Sequence, residues 1–160
     1  MLKKFKFVIV LALGLLIAGC TNSKVSSSGN DTSTVKTYES LTDSQRQQIK
    51  FSFDAEAKIT NNNNQSNPPK AAVSAKISNQ GTTDVQIDLA HFRLKGVEAN
   101  PHKTEIVEVK AGKSVPVADL FASVPVSYFS QPVSVDYFAG KYQVGEIKAL
   151  SNQAQLNKWL

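Results

Sequence analysis

Apolar and polar residues alternate along the middle of the chain with a period of two, which is typical of half-buried β-strands. In residues 50–60 the apolar side chains of one face are Phe51, Phe53, Ala55, Ala57 and Ile59. The same alternation recurs in residues 70–78, 104–110, 133–138 and 142–148. The pattern predicts a strand in each of these segments, and helical periodicity is absent between them.

A change of parity marks the apolar segment 85–94. Its apolar residues are Val85, Ile87 and Leu89 on one parity and Phe92 and Leu94 on the other. Because successive strand residues face opposite sides of a sheet, one straight strand cannot bury both sets. We therefore predict a β-bulge or a bend near Ala90 and His91.

Turn-forming residues separate these strands. Residues 61–69 are almost entirely Asn, Gln, Ser and Pro and are predicted to form a loop. Pro116 lies within the segment 115–122, which predicts a strand that is short, at a sheet edge or interrupted. Residues 123–132 carry two further prolines and are predicted to be irregular.

About seven short strands within about a hundred residues predict an all-β fold, an antiparallel β-sandwich, with a small closed barrel as the alternative. The sandwich domain is placed at residues 50–148. Residues 20–49 are predicted to be a disordered polar tether, in which a short helix starts from Thr42. Residues 149–160 are predicted to be either a tail or a short helix capped at Ser151.

The start of the chain has the charge pattern of an export signal. Lys3, Lys4 and Lys6 precede an apolar run over residues 7–19. A membrane-spanning helix needs about 20 apolar residues, whereas a run of about 10–14 is typical of the centre of a signal peptide. We therefore predict a signal peptide over residues 1–19.

The apolar run ends with Ile17, Ala18, Gly19 and Cys20, the last being the only cysteine of the chain. A branched aliphatic residue, two small residues and a cysteine resemble the lipobox of bacterial lipoproteins. The resemblance implies that a diacylglycerol is attached to the Cys20 thiol and that a signal peptidase cleaves before it. Two or more acyl chains anchor a protein firmly. The mature chain is therefore expected on the extracytoplasmic face of the bacterial cell membrane; an uncleaved hydrophobic anchor is the alternative.

Net charge argues against nucleic acid as a partner. The whole chain carries a formal charge of +5, and removal of the three signal-peptide lysines reduces it to +2. A nucleic-acid-binding surface needs clustered basic residues, which this sequence lacks. The expected partners are the membrane, through the lipid, and an unidentified protein or polymer of the cell envelope.

A second resemblance covers residues 50–148. Its elements are an Asn-x-Gly turn, an apolar strand ending in Phe-x-Leu, a glycine turn and an apolar-Pro pair: Asn79 and Gly81, Phe92 and Leu94, Gly112, and Val124 with Pro125. This arrangement is similar to that of bacterial secreted, immunoglobulin-like lipoprotein domains of unknown function. The resemblance implies an immunoglobulin-like sandwich and supplies no activity.

Candidate catalytic residues are few. His91 and His102 could bind zinc with Asp88 or Glu98 as a third ligand, and we expect instead one strand histidine and one solvated loop histidine. Asp54 and Glu56 share a strand face, where they could act as paired carboxylates or form a solvated face with Lys58. No Gly-x-Ser-x-Gly motif and no glycine-rich phosphate loop is present. We therefore expect no enzyme activity, no metal and no cofactor besides the covalent lipid.

The aromatic residues near the end of the domain are the candidate binding patch: Tyr128, Phe129, Tyr137, Phe138 and Tyr142. Adjacent strand residues point to opposite faces, so one member of each adjacent pair is expected to be exposed. Exposed aromatic side chains can bind sugars, peptides or another protein.

Three functions are compatible with these observations. The first is a non-enzymatic binding module anchored in the membrane. The second is a structural or immunomodulatory envelope lipoprotein, whose lipid and location matter more than any pocket. The third is a small envelope hydrolase, which would require a concave pocket around His91, His102 or the carboxylates.

Overall fold

The computed structural model of the protein describes residues 34–58 and 69–157, which form nine β-strands and two short α-helices. The strands are β1 (Lys36–Thr37), β2 (Ile49–Lys58), β3 (Lys70–Asn79), β4 (Val85–Asp88), β5 (Phe92–Leu94), β6 (Ile106–Val109), β7 (Ser114–Pro125), β8 (Val133–Tyr137) and β9 (Tyr142–Ile147). The helices are α1 (Asp43–Arg46) and α2 (Gln153–Leu156). Three 3-10 segments lie at Tyr38–Ser40, Leu89–His91 and Val126–Ser130. None of the described helices is long and apolar enough to span a membrane.

The predicted signal peptide, Cys20 and the start of the tether lie outside the described residues, as do most of the loop 61–69 and the last three residues of the chain.

The strands form three three-stranded sheets with the orders β1-β4-β6, β2-β3-β7 and β5-β8-β9. Every pairing between the described strands is antiparallel except that of β1 with β4. The inward residues of all three sheets belong to one hydrophobic core. The fold is therefore the predicted all-β sandwich, with nine described strands where about seven were expected, and the described strands form no closed barrel.

The chain passes from one sheet to another at the parity change of segment 85–94. The 3-10 segment Leu89–His91 separates β4 from β5, and the Asp88 side chain accepts a hydrogen bond from the Ala90 N–H at 2.9 Å. Because β4 and β5 belong to different sheets, β4 buries Val85 and Ile87, whereas β5 buries the residues of the other parity, Phe92 and Leu94. Leu89 and Phe92 are both 0% exposed. The predicted bend is confirmed.

Strand β7 is longer than predicted. It runs for 12 residues at the edge of its sheet, and its pairing with β3 is interrupted by register shifts on both sides of Val73. Pro116 lies opposite Lys76 at this edge, where a missing N–H breaks no ladder. Of the three predicted alternatives, the edge position and the interruption are confirmed, whereas β7 is not short: pairing passes Pro116 in unbroken register, and the interruptions lie beyond Val117.

The folded domain begins before Lys50, the predicted start of the sandwich, so the assignment of residues 36–49 to a disordered tether was wrong. β1 pairs with β4, and the following residues place Tyr38 and Leu41 in the core, exposed by 5% and 4%. Helix α1 starts after Thr42 as predicted. The Thr42 hydroxyl accepts from the Gln45 N–H, and the Gln45 side chain accepts from the Thr42 N–H, which together form a capping box.

The segment after β9 covers the free edge of β2. Leu150 bridges Ala55, and the Ser151 N–H donates to the Ala55 carbonyl at 2.8 Å. The Asn152 side chain pairs with the backbone of Ala57, accepting from its N–H at 2.8 Å and donating to its carbonyl at 2.9 Å. Asn152, not the predicted Ser151, is the N-cap position of α2, and its side chain makes no capping bond because it is used at the β2 edge.

Strands β2 and β9 approach closely where Gly145 faces the ring of Phe53. A Cβ atom on Gly145 would lie 2.6 Å from Cε2 and 2.8 Å from Cδ2 of that ring. We expect Gly145→Ala to lower the free energy of unfolding by about 1–3 kcal/mol through overpacking, measured by urea denaturation. In a Phe53→Leu background the added cost of Gly145→Ala should be much smaller. Equal costs in the two backgrounds would disprove this contact as the cause.

Candidate functional site

The five aromatic residues predicted as a binding patch do not share one environment. Phe129 and Tyr137 are core residues, exposed by 5% and 0%. Tyr128 and Phe138 are 40% and 38% exposed, and Tyr142 is half-buried. One member of each adjacent pair thus faces solvent, as expected. Only Tyr128, Phe138 and Tyr142 offer ring surface to a ligand.

Phe138 lies in the turn that joins β8 to β9. Its φ is 54°, in the left-handed region that bulky residues rarely adopt. Its N–H donates to the His91 carbonyl at 3.0 Å, and its ring packs edge-on against the His91 ring with centroids 5.1 Å apart. These contacts fix the Phe138 ring beside the bend between β4 and β5.

A groove of about 630 Å³ lies beside Tyr142, between α1, the start of β2 and the start of β9. We call it the Tyr142 groove. Its lining includes Tyr38, Asp43, Arg46, Gln47, Lys50, Phe51, Lys141, Tyr142 and Gln143. It is open to solvent rather than enclosed.

Aromatic rings form the base of the Tyr142 groove. The Tyr38 ring packs edge-on against those of Phe51 and Tyr142, at centroid distances of 5.5 and 5.6 Å. Tyr38 also packs edge-on against the buried Tyr137 at 5.2 Å. Edge-to-face packing is a favourable arrangement of aromatic rings. The base of the groove is therefore continuous with the core of the domain.

Arg46 is fixed against the exposed side of this base. Its guanidinium carbon lies 4.8 Å from the centre of the Tyr142 ring, and its Nη2 is 2.6 Å from Asp43 Oδ1. Its Nη1 donates to the backbone carbonyls of Glu39 and Leu41. These bonds occupy both terminal nitrogens of Arg46, and its guanidinium lies against the Tyr142 ring. Arg46 is therefore poorly placed to donate two parallel hydrogen bonds to a ligand.

Two lysines of the groove are exposed and make no ion pair within the described residues. Lys50 lies at the start of β2. The Lys141 Nζ is 5.2 Å from the centre of the Tyr142 ring, within the range of a cation–π contact. The amide side chains of Gln47 and Gln143 are exposed beside them. The groove thus combines aromatic surface with two ammonium groups.

A polar cluster of Glu39, Asp88 and His91 lies beside Tyr38, next to it in the chain through Glu39. Glu39 Oε1 is 3.2 Å from His91 Nδ1, and Asp88 Oδ2 is 3.7 Å from His91 Nε2. Burial raises the pKa of Glu39, but hydrogen bonds from its own backbone and from Tyr137 and His91 outweigh burial, so the pKa is lowered. The charged form of Glu39 therefore stabilises the fold above the ordinary Glu pKa, and this stabilisation is lost as pH falls through the lowered value.

The other candidate residues lie apart from the groove. His102 is exposed in a loop, and its N–H donates to the Leu120 carbonyl at 2.7 Å. Within the described part of the chain, no group of three or more His, Cys, Asp or Glu side chains is placed to hold a metal ion. Asp54 and Glu56 lie on the exposed face of β2, where Asp54 accepts a hydrogen bond from Ser151. His91 and His102 line neither the Tyr142 groove nor a second concavity of about 210 Å³ near Gln48.

Sequence reasoning missed most of the Tyr142 groove. Arg46 and Lys50 are nearly a hundred residues from Lys141 and Tyr142 in the sequence, and no local pattern links them. The adjacent Lys141 and Tyr142 were the available signal, because a cation beside an aromatic residue at the start of a strand can border a binding surface.

Comparisons of the chain with protein-family models, with curated proteins and with solved structures found no match.

Proposed function

We propose that the chain is an exported lipoprotein, anchored by a diacylglycerol on Cys20, whose β-sandwich is a non-enzymatic binding module at the bacterial cell envelope. The observation that carries the anchor is the position of the only cysteine, directly after Ile17, Ala18 and Gly19 at the end of an apolar run. The resemblance to a lipobox supports Cys20 as the lipidated residue and the three preceding residues as the recognition sequence of the signal peptidase.

The binding role is supported by the Tyr142 groove. It presents a half-buried aromatic ring, two lysines without an ion pair among the described residues, and two exposed amides in one concave surface. An open groove of mixed aromatic and charged lining supports the binding of an extended ligand at the surface rather than of an enclosed small molecule. The groove contains neither of the histidines that an acid–base mechanism would use, so binding is better supported than hydrolysis.

The spacing of the anchor and the domain limits where the groove acts. The stretch from Cys20 to Lys36 can span at most about 58 Å when fully extended. A lipidated Cys20 would therefore keep the sandwich close to the membrane surface, where its partners would be components of the envelope rather than distant soluble molecules.

The anchor is tested by the Cys20→Ala substitution in a bacterial host. In the unsubstituted chain we expect a mature N-terminal peptide that starts at Cys20 and carries added lipid mass, with the protein in the membrane fraction. The Cys20→Ala chain should lose the lipid mass and the cleavage before residue 20. The neighbouring Thr21→Ala substitution, which leaves the four lipobox residues intact, should retain both.

Intact mass spectrometry of the N-terminal peptide decides the result. A peptide that starts at Met1 with a free Cys20 thiol would overturn both the anchor and the proposed location. Lipid mass on the Thr21→Ala chain together with its absence from the Cys20→Ala chain would support them.

A further inference from the structure

We propose that the Tyr142 groove binds a phosphodiester-linked carbohydrate or polyol chain, with Lys50 and Lys141 contacting its phosphates. This inference rests on the proposed binding role and specifies the chemical class of the ligand. The supporting observation is an open groove with an aromatic base, bordered by two exposed lysines. Neither lysine makes an ion pair among the described residues.

The charge of the groove is complementary to an anion. Its charged lining residues are Asp43, Arg46, Lys50 and Lys141. The one carboxylate is 2.6 Å from the Arg46 guanidinium and is compensated by it. Lys50 and Lys141 therefore contribute two positive charges that form no ion pair with a described acidic side chain. The second concavity, near Gln48, has no charged lining residue, so the Tyr142 groove is the better match for an anionic ligand.

The available cations suit phosphate. Arginine binds carboxylate and phosphate alike in a planar two-pronged fashion, but the Arg46 guanidinium is already bonded to Asp43 and to two backbone carbonyls. The free cations are lysines, which bind phosphate as mobile point charges. The exposed Gln47 and Gln143 amides can donate further hydrogen bonds to phosphate or hydroxyl oxygens.

The base and shape of the groove favour a carbohydrate or polyol chain. Arg46 and Lys141 both lie over the Tyr142 ring, so the packing area for the C–H groups between phosphates is the part of Tyr142 and of the half-buried Phe51 that they leave exposed. The groove is open rather than enclosed, so a chain can lie along it without its ends being buried. A small free anion would use only the lysines.

The test uses the full lipidated protein reconstituted in neutral phosphatidylcholine vesicles and titrated with poly(glycerol phosphate). Binding should be measurable and should weaken as salt is added, because both lysines are exposed. The double substitution Lys50→Gln with Lys141→Gln should weaken binding by about tenfold or more. The matched control, Lys76→Gln with Lys95→Gln, makes the same change in net charge at exposed lysines outside the groove and should leave the affinity within about twofold.

Each other outcome overturns the proposal. Equal weakening in the two double variants would show a general electrostatic attraction rather than a groove. Tighter binding of polyglutamate than of poly(glycerol phosphate) would show carboxylate recognition. Preferential binding to vesicles containing phosphatidylglycerol would make the ligand a lipid surface. The mass of the Cys20 peptide, measured on the same preparation, separates these results from a failure of the proposed anchor.

Discussion

Replacing Asn79 with alanine is expected to lower the free energy of unfolding by about 3 kcal/mol, because three hydrogen bonds of one buried side chain would be lost together. Asn79 is 2% exposed and ends β3. Its side-chain amide donates to the carbonyls of Thr83 and Val109, at 2.8 and 3.0 Å. Its side-chain oxygen accepts from the Gly81 N–H at 2.9 Å.

The effect is large because Asn79 connects two sheets. Val109 ends β6, in a different sheet from β3, so the amide joins the two sheets where both strands end. Alanine would leave the Thr83 and Val109 carbonyls and the Gly81 N–H without this partner. An unsatisfied buried polar group costs about 1–3 kcal/mol, and water reaching part of the site would reduce the sum.

The Asn79→Asp substitution separates hydrogen bonding from simple loss of volume. Aspartate keeps the shape and the acceptor for the Gly81 N–H, but its charged form faces two carbonyl oxygens. Its pKa in the folded chain should therefore be raised, so its cost relative to the unsubstituted chain should grow as pH rises above about 4. The cost of Asn79→Ala should not change over the same range.

Urea denaturation at several pH values measures both variants. The exposed Asn100, replaced by alanine, is the matched control and should change stability by less than about 0.5 kcal/mol. A cost for Asn79→Ala as small as that of the control would mean that the amide does not join the sheets.

Whether the sequence predicts a feature of this fold depends on how far apart along the chain the residues that determine it lie. The strands of the sandwich follow from period-two alternation, which is a local property, and so does the bend after Asp88, because parity changes within ten residues. The Thr42 cap of α1 was equally visible, since its partner Gln45 is three residues away. These features need no knowledge of the rest of the chain.

The features that were missed depend on distant residues. Residues 36–41 follow a polar stretch and were assigned with it to the tether, but Tyr38 becomes a core residue because strands β2, β8 and β9 supply the aromatic rings around it. Asn152 lies at the N-cap position of α2, but its side chain makes no capping bond because it pairs with the backbone N–H and carbonyl of Ala57 in β2. The Tyr142 groove could not be predicted for the same reason, since its two halves meet only in the folded chain.

Alkaline pH should unfold the domain through Tyr137. This side chain is 0% exposed, and its hydroxyl accepts from the Asp88 N–H at 3.0 Å. Burial raises the pKa of Tyr137 far above its ordinary value, and the neighbouring charges of Glu39 and Asp88 raise it further. Burial also raises the pKa of Tyr38, against the opposing effect of the Arg46 charge. Both phenols are therefore held neutral in the folded chain.

The sign of the pH dependence follows from these directions. A tyrosine whose folded pKa is raised contributes its full stabilisation below the unfolded pKa of about 10 and loses it as pH rises beyond that value. Tyr137 should remove about 1.4 kcal/mol of stability per pH unit above about pH 10, and Tyr38 should act in the same direction. We expect a steep fall in the urea midpoint over this range, accompanied by phenolate absorbance that appears together with unfolding.

The Tyr137→Phe substitution isolates the contribution of this phenol. At neutral pH it should lower the free energy of unfolding by about 1–3 kcal/mol, because the Asp88 N–H loses its acceptor and the Glu39 carboxylate loses the phenol as a donor. Above about pH 10 its stability should fall less steeply than that of the unsubstituted chain, so the gap should narrow by about 1.4 kcal/mol per pH unit. Tyr128→Phe, at a side chain 40% exposed in the folded chain, should leave the slope unchanged. Parallel curves for Tyr137→Phe and the unsubstituted chain would mean that another group controls alkaline unfolding.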